Sequence, residues 1–548
     1  MMSLLFRVFT FDSAFRPKIK TSTFIIIVSF YFGFILNYPI VSKVFELGKN
    51  VPDIWFPYTG PFVLFFAFII VFSILTLPLI LKPWYGFLFL SSALALYSIQ
   101  EFHVLFDTSM IENVVETNVS EALFYLNVRS VLYFLIFGVI PTLLLVWVKV
   151  EFNSSIFREL VTRVILILLS CMFITVIAIT TYKDYASVGR NNKYLNKMII
   201  PAHVYDTYKY IKRNYLVKPL PYTSLGDDAQ LKSTENGKPT LVVMVLGETA
   251  RAMNFSDNGY SRDTQPYTKD LDLISFNDVS SCGTYTALSV PCMFSNMNRT
   301  DYNKAKANAQ DNAIDIIAKA NVETLWIDND GGDKGVAHNT KLINIDAKSD
   351  RDLCNGNTCY DQVMLKPAEQ FIKKDHKDKL IVLHTIGSHG PTYFQRFPPK
   401  LAKFAPWCNR KDIDQCTDQE ITNVYDNTLV YTDFFLAQVI KQLQEHAQDY
   451  NVAMMYVSDH GESLGENGLY LHGTPYAIAP KEQKTVPWLL WLPEQYAKQK
   501  QIDRSCVKEE AQKLRYTHDN FFHSLIGLYG VDTKEKQTSL DLFSNCHV

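Results

Sequence analysis

The chain has 548 residues, 48% of them hydrophobic, and a formal net charge of −2. A near-neutral balance removes any bulk electrostatic case for nucleic acid as a partner. The length allows more than one domain, and the composition is divided: the first ~180 residues are rich in Phe, Leu, Ile and Val, and the remainder has the polar mix of a water-exposed domain.

In chain order, five apolar runs come first, at roughly 21–41, 61–81, 84–104, 130–148 and 164–182. Each approaches the ~20 residues that cross a hydrocarbon core. Any one of them alone reads equally well as a buried core helix, but five in succession predict a membrane anchor with five helices over residues 1–183. Spans that continue far beyond the first exclude a cleaved signal peptide. Basic residues set the orientation. Arg7, Arg16, Lys18 and Lys20 precede the first run, Lys82 follows the second, and Lys149, Arg158 and Arg163 follow the fourth. The opposite loops hold Lys43, Lys49 and Arg129, and one of them carries Glu101, Asp107, Glu112, Glu116 and Glu121. The amino terminus is therefore expected in the cytoplasm, and everything after ~183 outside it.

Residues 184–238 form a connection. Val204, Tyr208, Ile211 and Tyr215 recur at helical spacing beside Lys209, Lys212 and Arg213. That pattern fits a helix on a membrane surface, or one packed on the next domain. The stretch KPLPYTSLGDDAQLKSTENGKPT then reads as a linker.

From 239 to 548 apolar strands alternate with amphipathic stretches. TLVVMVLGE, VETLWIDND, KLIVLHTIGSHG, NVAMMYVSDHG and VPWLLWLP are the strand candidates, and KANAQDNAIDIIAKA and ITNVYDNTLVYTDFFLAQVIKQLQEH the helical ones. Such alternation predicts an α/β domain with a mostly parallel sheet. Eight of the nine cysteines fall here, as an even set expected on the oxidising side of the membrane. Short spacings suggest the pairs Cys282–Cys292, Cys354–Cys359 and Cys408–Cys416, which leaves Cys506 with Cys546. A structural zinc site is the alternative, but no CxxC occurs.

Open α/β sheets bind ligands where their strands end. Those ends carry Glu248, then Asp328 and Asp330, then His384 and His389, then Asp459, His460 and Glu462. Two carboxylates and an imidazole with one position open match a catalytic zinc; Mg²⁺ or Mn²⁺ would accept Glu248 and Asp459, and His460 favours zinc. A bound cation activates an alcohol, and SCGTYTALSVPCMFS (281–295) supplies several, Thr284 and Thr286 among them.

Four segments together, GETARAMNFSDNGYSRDTQP, CGTYTALSVPCMFS, LHTIGSHGPTYFQRFP and YVSDHGESLGENGLYLHGTPYAIAP, resemble the lipid A phosphoethanolamine transferases, the membrane enzymes whose mobile relatives confer colistin resistance. The resemblance spans nearly the whole chain. It implies an alkaline phosphatase/sulfatase-like periplasmic domain behind a five-helix anchor in a Gram-negative inner membrane. It also implies Thr286 as nucleophile, and Glu248, Thr286, Asp459 and His460 as Zn²⁺ ligands. His389 and His472 match residues that bind the donor phosphate or a second zinc, and Lys334 matches a lysine at the same site. Cysteines flank that lysine in some relatives; Asp333 and Ala337 stand there in this chain. The implied reaction is ping-pong: phosphatidylethanolamine gives phosphoethanolamine to Thr286 and releases diacylglycerol, and a lipid A phosphate then takes the group. The chain is read as a monomer. A sulfatase would need C/S-x-P-x-R, and Ser289-Val290-Pro291-Cys292-Met293 lacks the arginine. Two other readings stay open: the same chemistry on a glucan, a core sugar or a glycoprotein, and a zinc-binding sensor without turnover.

Overall fold

The computed structural model describes residues 16–49, 55–102, 104–116, 126–231, 237–411 and 413–547; Arg7 and Glu121 lie outside them. The chain divides into two compact units, one of residues 1–111 and 126–212, the other of residues 112–125 and 213–548.

In the first unit each predicted run is helical: Thr21–Phe30 continuing through a π-helical turn to Leu36, then Phe56–Leu75, Leu81–Phe102, Val128–Trp147 with its own π turn, and Ile156–Asn191. Among the described residues three helices, Phe56–Leu75, Val128–Trp147 and Ile156–Tyr185, are long and apolar enough to cross a membrane. A fourth qualifies if the pair Thr21–Leu36 and Tyr38–Gly48, bent by 57°, is one span. The bend falls at Asn37. Its side-chain amide donates to the carbonyls of Phe32 (2.9 Å) and Ile200 (2.7 Å), and its Oδ1 accepts from Ile200 N at 2.9 Å. A buried polar side chain thus satisfies backbone groups that the kink releases. Leu81–Phe102 falls short of the expectation of a fifth apolar span. It buries Leu81, Tyr85, Leu88, Phe89, Ala93, Leu96 and Ile99 against the other helices of this unit. Its buried face holds Tyr85, Ser92 and Tyr97, while Phe87 and Leu94 are half exposed on the other.

Two contacts bear on the charge pattern. Lys18–Lys20 pairs in parallel with Lys149–Glu151, and Lys82 Nζ donates to Val146 O at 2.8 Å. The basic segments assigned to one side of the membrane thus meet at one end of this unit.

The second unit is built on a seven-stranded sheet. Its strands are β1 (Thr240–Gly247), β2 (Ile274–Phe276), β3 (Glu323–Asp328), β4 (Lys341–Asn344), β5 (Lys379–His384), β6 (Asn451–Ser458) and β7 (Trp488–Trp491), in the order β2-β7-β6-β1-β5-β3-β4. Five neighbours from β6 to β4 run parallel; β7 runs antiparallel to β6, and β2, antiparallel to β7, shares the direction of the five. Every residue of β1, β5 and β6 is buried, which explains their continuous apolar runs: helices cover a parallel sheet on both faces. The predicted strands are all present. Edge strands β2 and β4, of three and four residues, are too short to leave a periodic signal. The predicted helix at 306–320 is broken into Lys304–Ala307 and Ala313–Lys319. Asn312 caps the second piece, accepting from Ile314 N while Asp315 reaches back to Asn312 N. All four expected disulfides are formed, and Cys171 is free.

Candidate active site

The carboxyl ends of β1, β5, β3 and β6 are neighbours in this strand order, so four distant stretches of chain converge there. Glu248 follows β1; Asp459 and His460 follow β6; all three are fully buried. Their ligand atoms lie within 4.8 Å of one another. His460 Nε2 is 3.4 Å from Glu248 Oε1 and 3.3 Å from Asp459 Oδ2. The other ring nitrogen, Nδ1, donates to the carbonyl of Gly461 at 2.9 Å, which fixes the tautomer and turns an Nε2 lone pair toward the carboxylates. Asp459 Oδ1 accepts from the backbone of His460 (2.7 Å) and Thr249 (3.2 Å). Asp459 Oδ2 and Glu248 Oε1 are buried with no hydrogen-bond partner.

Burial first, and then the repulsion between Asp459 and Glu248 and from Asp330, pushes the Glu248 carboxyl well above its usual range. Burial and Asp330 raise Asp459 as well, and burial with neighbouring histidines holds His460 neutral. Two buried carboxylates with oxygens left over, facing a neutral imidazole, form a donor set that a divalent cation completes. These residues fit zinc.

Thr286 opens the helix α1 (Thr286–Met293), with Tyr285 in extended conformation before it. Its hydroxyl donates to Glu248 Oε2 at 3.2 Å and stands 3.4 Å from His460 Nε2. The oxygen therefore sits at the positive end of a helix dipole, which favours an alkoxide, and beside the side chains that could hold a cation. The competing hydroxyl of Thr284 donates instead to Thr474 O at 2.7 Å. Ser289 points inward, accepting from Gly283 N at 3.3 Å and donating to Asp459 O. Cys282 and Cys292 close a loop around Thr286.

His389 and His472 lie beside this cluster, with ring centroids 5.3 Å apart, and the His472 ring is 4.5 Å from that of His460. Glu462 Oε2 is 3.0 Å from His472 Nδ1, and Glu462 Oε1 accepts from Tyr393 OH at 2.9 Å. Lys334 adopts φ +52° and brings Nζ within 3.9 Å of Asp330 Oδ2. Gly387 is needed for close approach: at φ +47°, a Cβ there would lie 2.6 Å from Glu248 O.

Some neighbours carry no sequence signal of their own. His518 is fully buried beneath α1, accepting from Cys282 N at 3.1 Å and lying 3.1 Å from Ser458 O. Burial lowers its pKa to about 3. Its motif, YTHDN, contains nothing that marks it. Glu462 and His384 are visible at strand ends, but their roles depend on contacts with His472 and Asp328. The cluster of Cys506, Glu510 and Cys546 is no metal centre, because its sulfurs form a disulfide.

Two family profiles match the chain: "Sulfatase" over residues 240–531 and "Phosphoethanolamine transferase EptA/EptB" over residues 64–215. The phosphoethanolamine transferase EptA of Escherichia coli K12 is 38% identical over 97% of this chain and 98% of its own length. The phosphatidylethanolamine transferase Mcr-1 of Escherichia coli is 34% identical over 94% and 96%. The integral membrane protein lipooligosaccharide phosphoethanolamine transferase A of Neisseria meningitidis superimposes with a TM-score of 0.92, at 37% identity over 97% of this chain and all of that one. With matches of this extent on both units, and with a cation-ready threonine at the sheet's carboxyl edge, the chain belongs to the phosphoethanolamine transferases of the EptA and Mcr type, in the alkaline phosphatase/sulfatase superfamily.

Proposed function

We propose that this enzyme moves phosphoethanolamine from phosphatidylethanolamine to a phosphate of lipid A by way of Thr286, and thereby confers polymyxin resistance. The observation that carries the reading is the placement of Thr286 Oγ1 against Glu248 and His460, with Asp459 adjoining. Zinc held by Glu248, Asp459, His460 and Thr286 would acidify the threonine hydroxyl and offset charge on the phosphoryl oxygens.

Thr286 Oγ1 attacks phosphorus; an O–P bond forms and the bond to the diacylglycerol oxygen breaks. The step is neutral in protons, since threonine loses the one that diacylglycerol gains. His472, its Nδ1 oriented by Glu462, or His389 beside it carries that proton to the leaving oxygen. Lys334 supports the phosphate anion. An oxygen of the lipid A phosphate then attacks the same phosphorus; its O–P bond replaces the bond to Thr286 Oγ1, and the proton the acceptor phosphate gives up restores the threonine hydroxyl.

This chemistry needs a domain at an outer leaflet. We read the five helices as five crossings with a cytoplasmic amino terminus, residues 1–183 as the anchor, 184–238 as an interfacial helix and linker, and 239–548 as a periplasmic, monomeric catalytic domain. In helix Ala202–Ile211 the inward residues are His203, Asp206 and Tyr210, whereas Tyr205, Tyr208 and Ile211 are exposed, as a membrane-lying helix requires.

The test is expression in a Gram-negative host without such enzymes, followed by mass spectrometry of lipid A. Lipid A gaining phosphoethanolamine is the expected result. Unmodified lipid A with a modified glucan, core sugar or glycoprotein would transfer the reading to that acceptor.

A further inference from the structure

The sheet carries a second group of metal-competent side chains beside the first. Glu248, Asp330 and His384 are buried, and their ligand atoms also fall within 4.8 Å of one another. His384 ends β5 and is fully enclosed. Its Nδ1 is 2.8 Å from Asp328 Oδ2. Asp328 is itself held in place: Gly331 N and Gly332 N donate to Oδ1 at 2.8 and 2.7 Å, and Trp326 Nε1 donates to Oδ2 at 3.3 Å. In the neutral ring, a carboxylate pinned in this way takes the Nδ1–H and leaves an Nε2 lone pair on the far side, where a cation can replace a proton. That is the arrangement by which proteins orient a metal-binding histidine. His384 Nε2 is 3.7 Å from Asp330 Oδ2, beyond hydrogen-bond reach, and it has no hydrogen-bond partner.

We propose that Glu248, Asp330 and His384 bind a second divalent transition-metal cation, with Glu248 bridging it to the cation held by Asp459 and His460. Metal–ligand bonds of about 2.0–2.2 Å require only a modest contraction of the group. Charge favours it too. Asp328, Asp330, Glu248 and Asp459 share this end of the sheet with the Lys334 ammonium, which shares Asp330 at 3.9 Å. One divalent cation and Lys334 leave these four carboxylates with a net negative charge; a second cation makes the site positive, ready for a phosphodiester anion. The site goes beyond the proposed reaction and has only Glu248 in common with it.

Metal content tests it without activity. Full-length protein in detergent is stripped with EDTA, saturated with zinc, dialysed and assayed by mass spectrometry of the metal. His384→Ala and Asp330→Asn are each expected to hold one zinc fewer per chain than the unsubstituted protein, while the double variant His389→Ala/His472→Ala keeps the zinc that they lose. Manganese-loaded protein should show an exchange-coupled paramagnetic resonance signal, as ions about 3.5–4 Å apart give, and His384→Ala the six-line signal of an isolated ion. Equal zinc content in the protein and in both single variants, or loss of that zinc in the double histidine variant alone, would overturn the proposal. If His384→Ala does not fold, Asp330→Asn provides the same reading. A wrong acceptor for phosphoethanolamine would not alter these counts, and an absent second site would not alter which lipid is modified.

Discussion

The two units use the same apolar residues in opposite ways. In helix Ile156–Asn191, Ile156 and Ile179 are each 78% exposed and Leu168 63%; in β1, β5 and β6 the corresponding Val, Leu and Ile are fully enclosed. One unit turns its apolar surface outward to a solvent of lipid tails, and the other closes it around a sheet. Polar groups invert as well. In the first unit Asn37 and Thr76 repair backbone, whereas in the second Glu248 and Asp459 keep oxygens unpaired, where a cation can use them.

The largest expected effect separates chemistry from folding. Thr286→Ala should lower transfer by about 10³-fold or more with an unchanged melting temperature, measured on lipid A by mass spectrometry; activity near that of the unsubstituted enzyme would remove threonine from the reaction. Chelation should have the same direction: EDTA-treated enzyme loses turnover and zinc restores it, and turnover that persists in EDTA would argue against a metal. Glu462→Gln should cost about 10–100-fold in turnover by releasing the His472 ring, again without a change in fold.

Stability sharpens the contrast between the units. Leu383→Ala, in the enclosed β5, should destabilise the catalytic unit by about 2–5 kcal/mol; Leu168→Ala, on an exposed helix face, should cost under about 0.5 kcal/mol in detergent. Equal losses would mean that Leu168 is covered by protein. The smallest effect concerns pH. His518 has a folded-state pKa of about 3 against 6.5 for a free imidazole, so the unfolded chain binds the extra proton. Its stabilising contribution is complete above pH ~6.5 and is lost as pH falls toward 3. His518→Gln should flatten thermal stability across that window; an unchanged slope would place the acid sensitivity elsewhere.

Much of this was legible beforehand. The apolar runs, the buried parallel strands, the three short-range cystine pairs and the residues at the strand ends follow from hydropathy, periodicity and spacing; Cys506–Cys546 follows only by elimination. The bend at Asn37 and the buried face of Leu81–Phe102 were not, because both depend on which helix lies beside which. Thr284 and Thr286 are equivalent in composition and differ only in direction: one hydroxyl reaches Thr474, the other Glu248.

The sequence by itself determined where apolar surface must be hidden from water, and hence the two units and the strands, because those are local consequences of side-chain pattern. Only the tertiary structure decided which donors lie close enough together to hold a cation. Glu248, Asp330, His384, Asp459 and His460 are separated by up to ~210 residues, and strand order alone brings them together. It also set the tautomers of His384 and His460, through Asp328 and the Gly461 carbonyl, and a metal site is made by that orientation as much as by the ligands themselves.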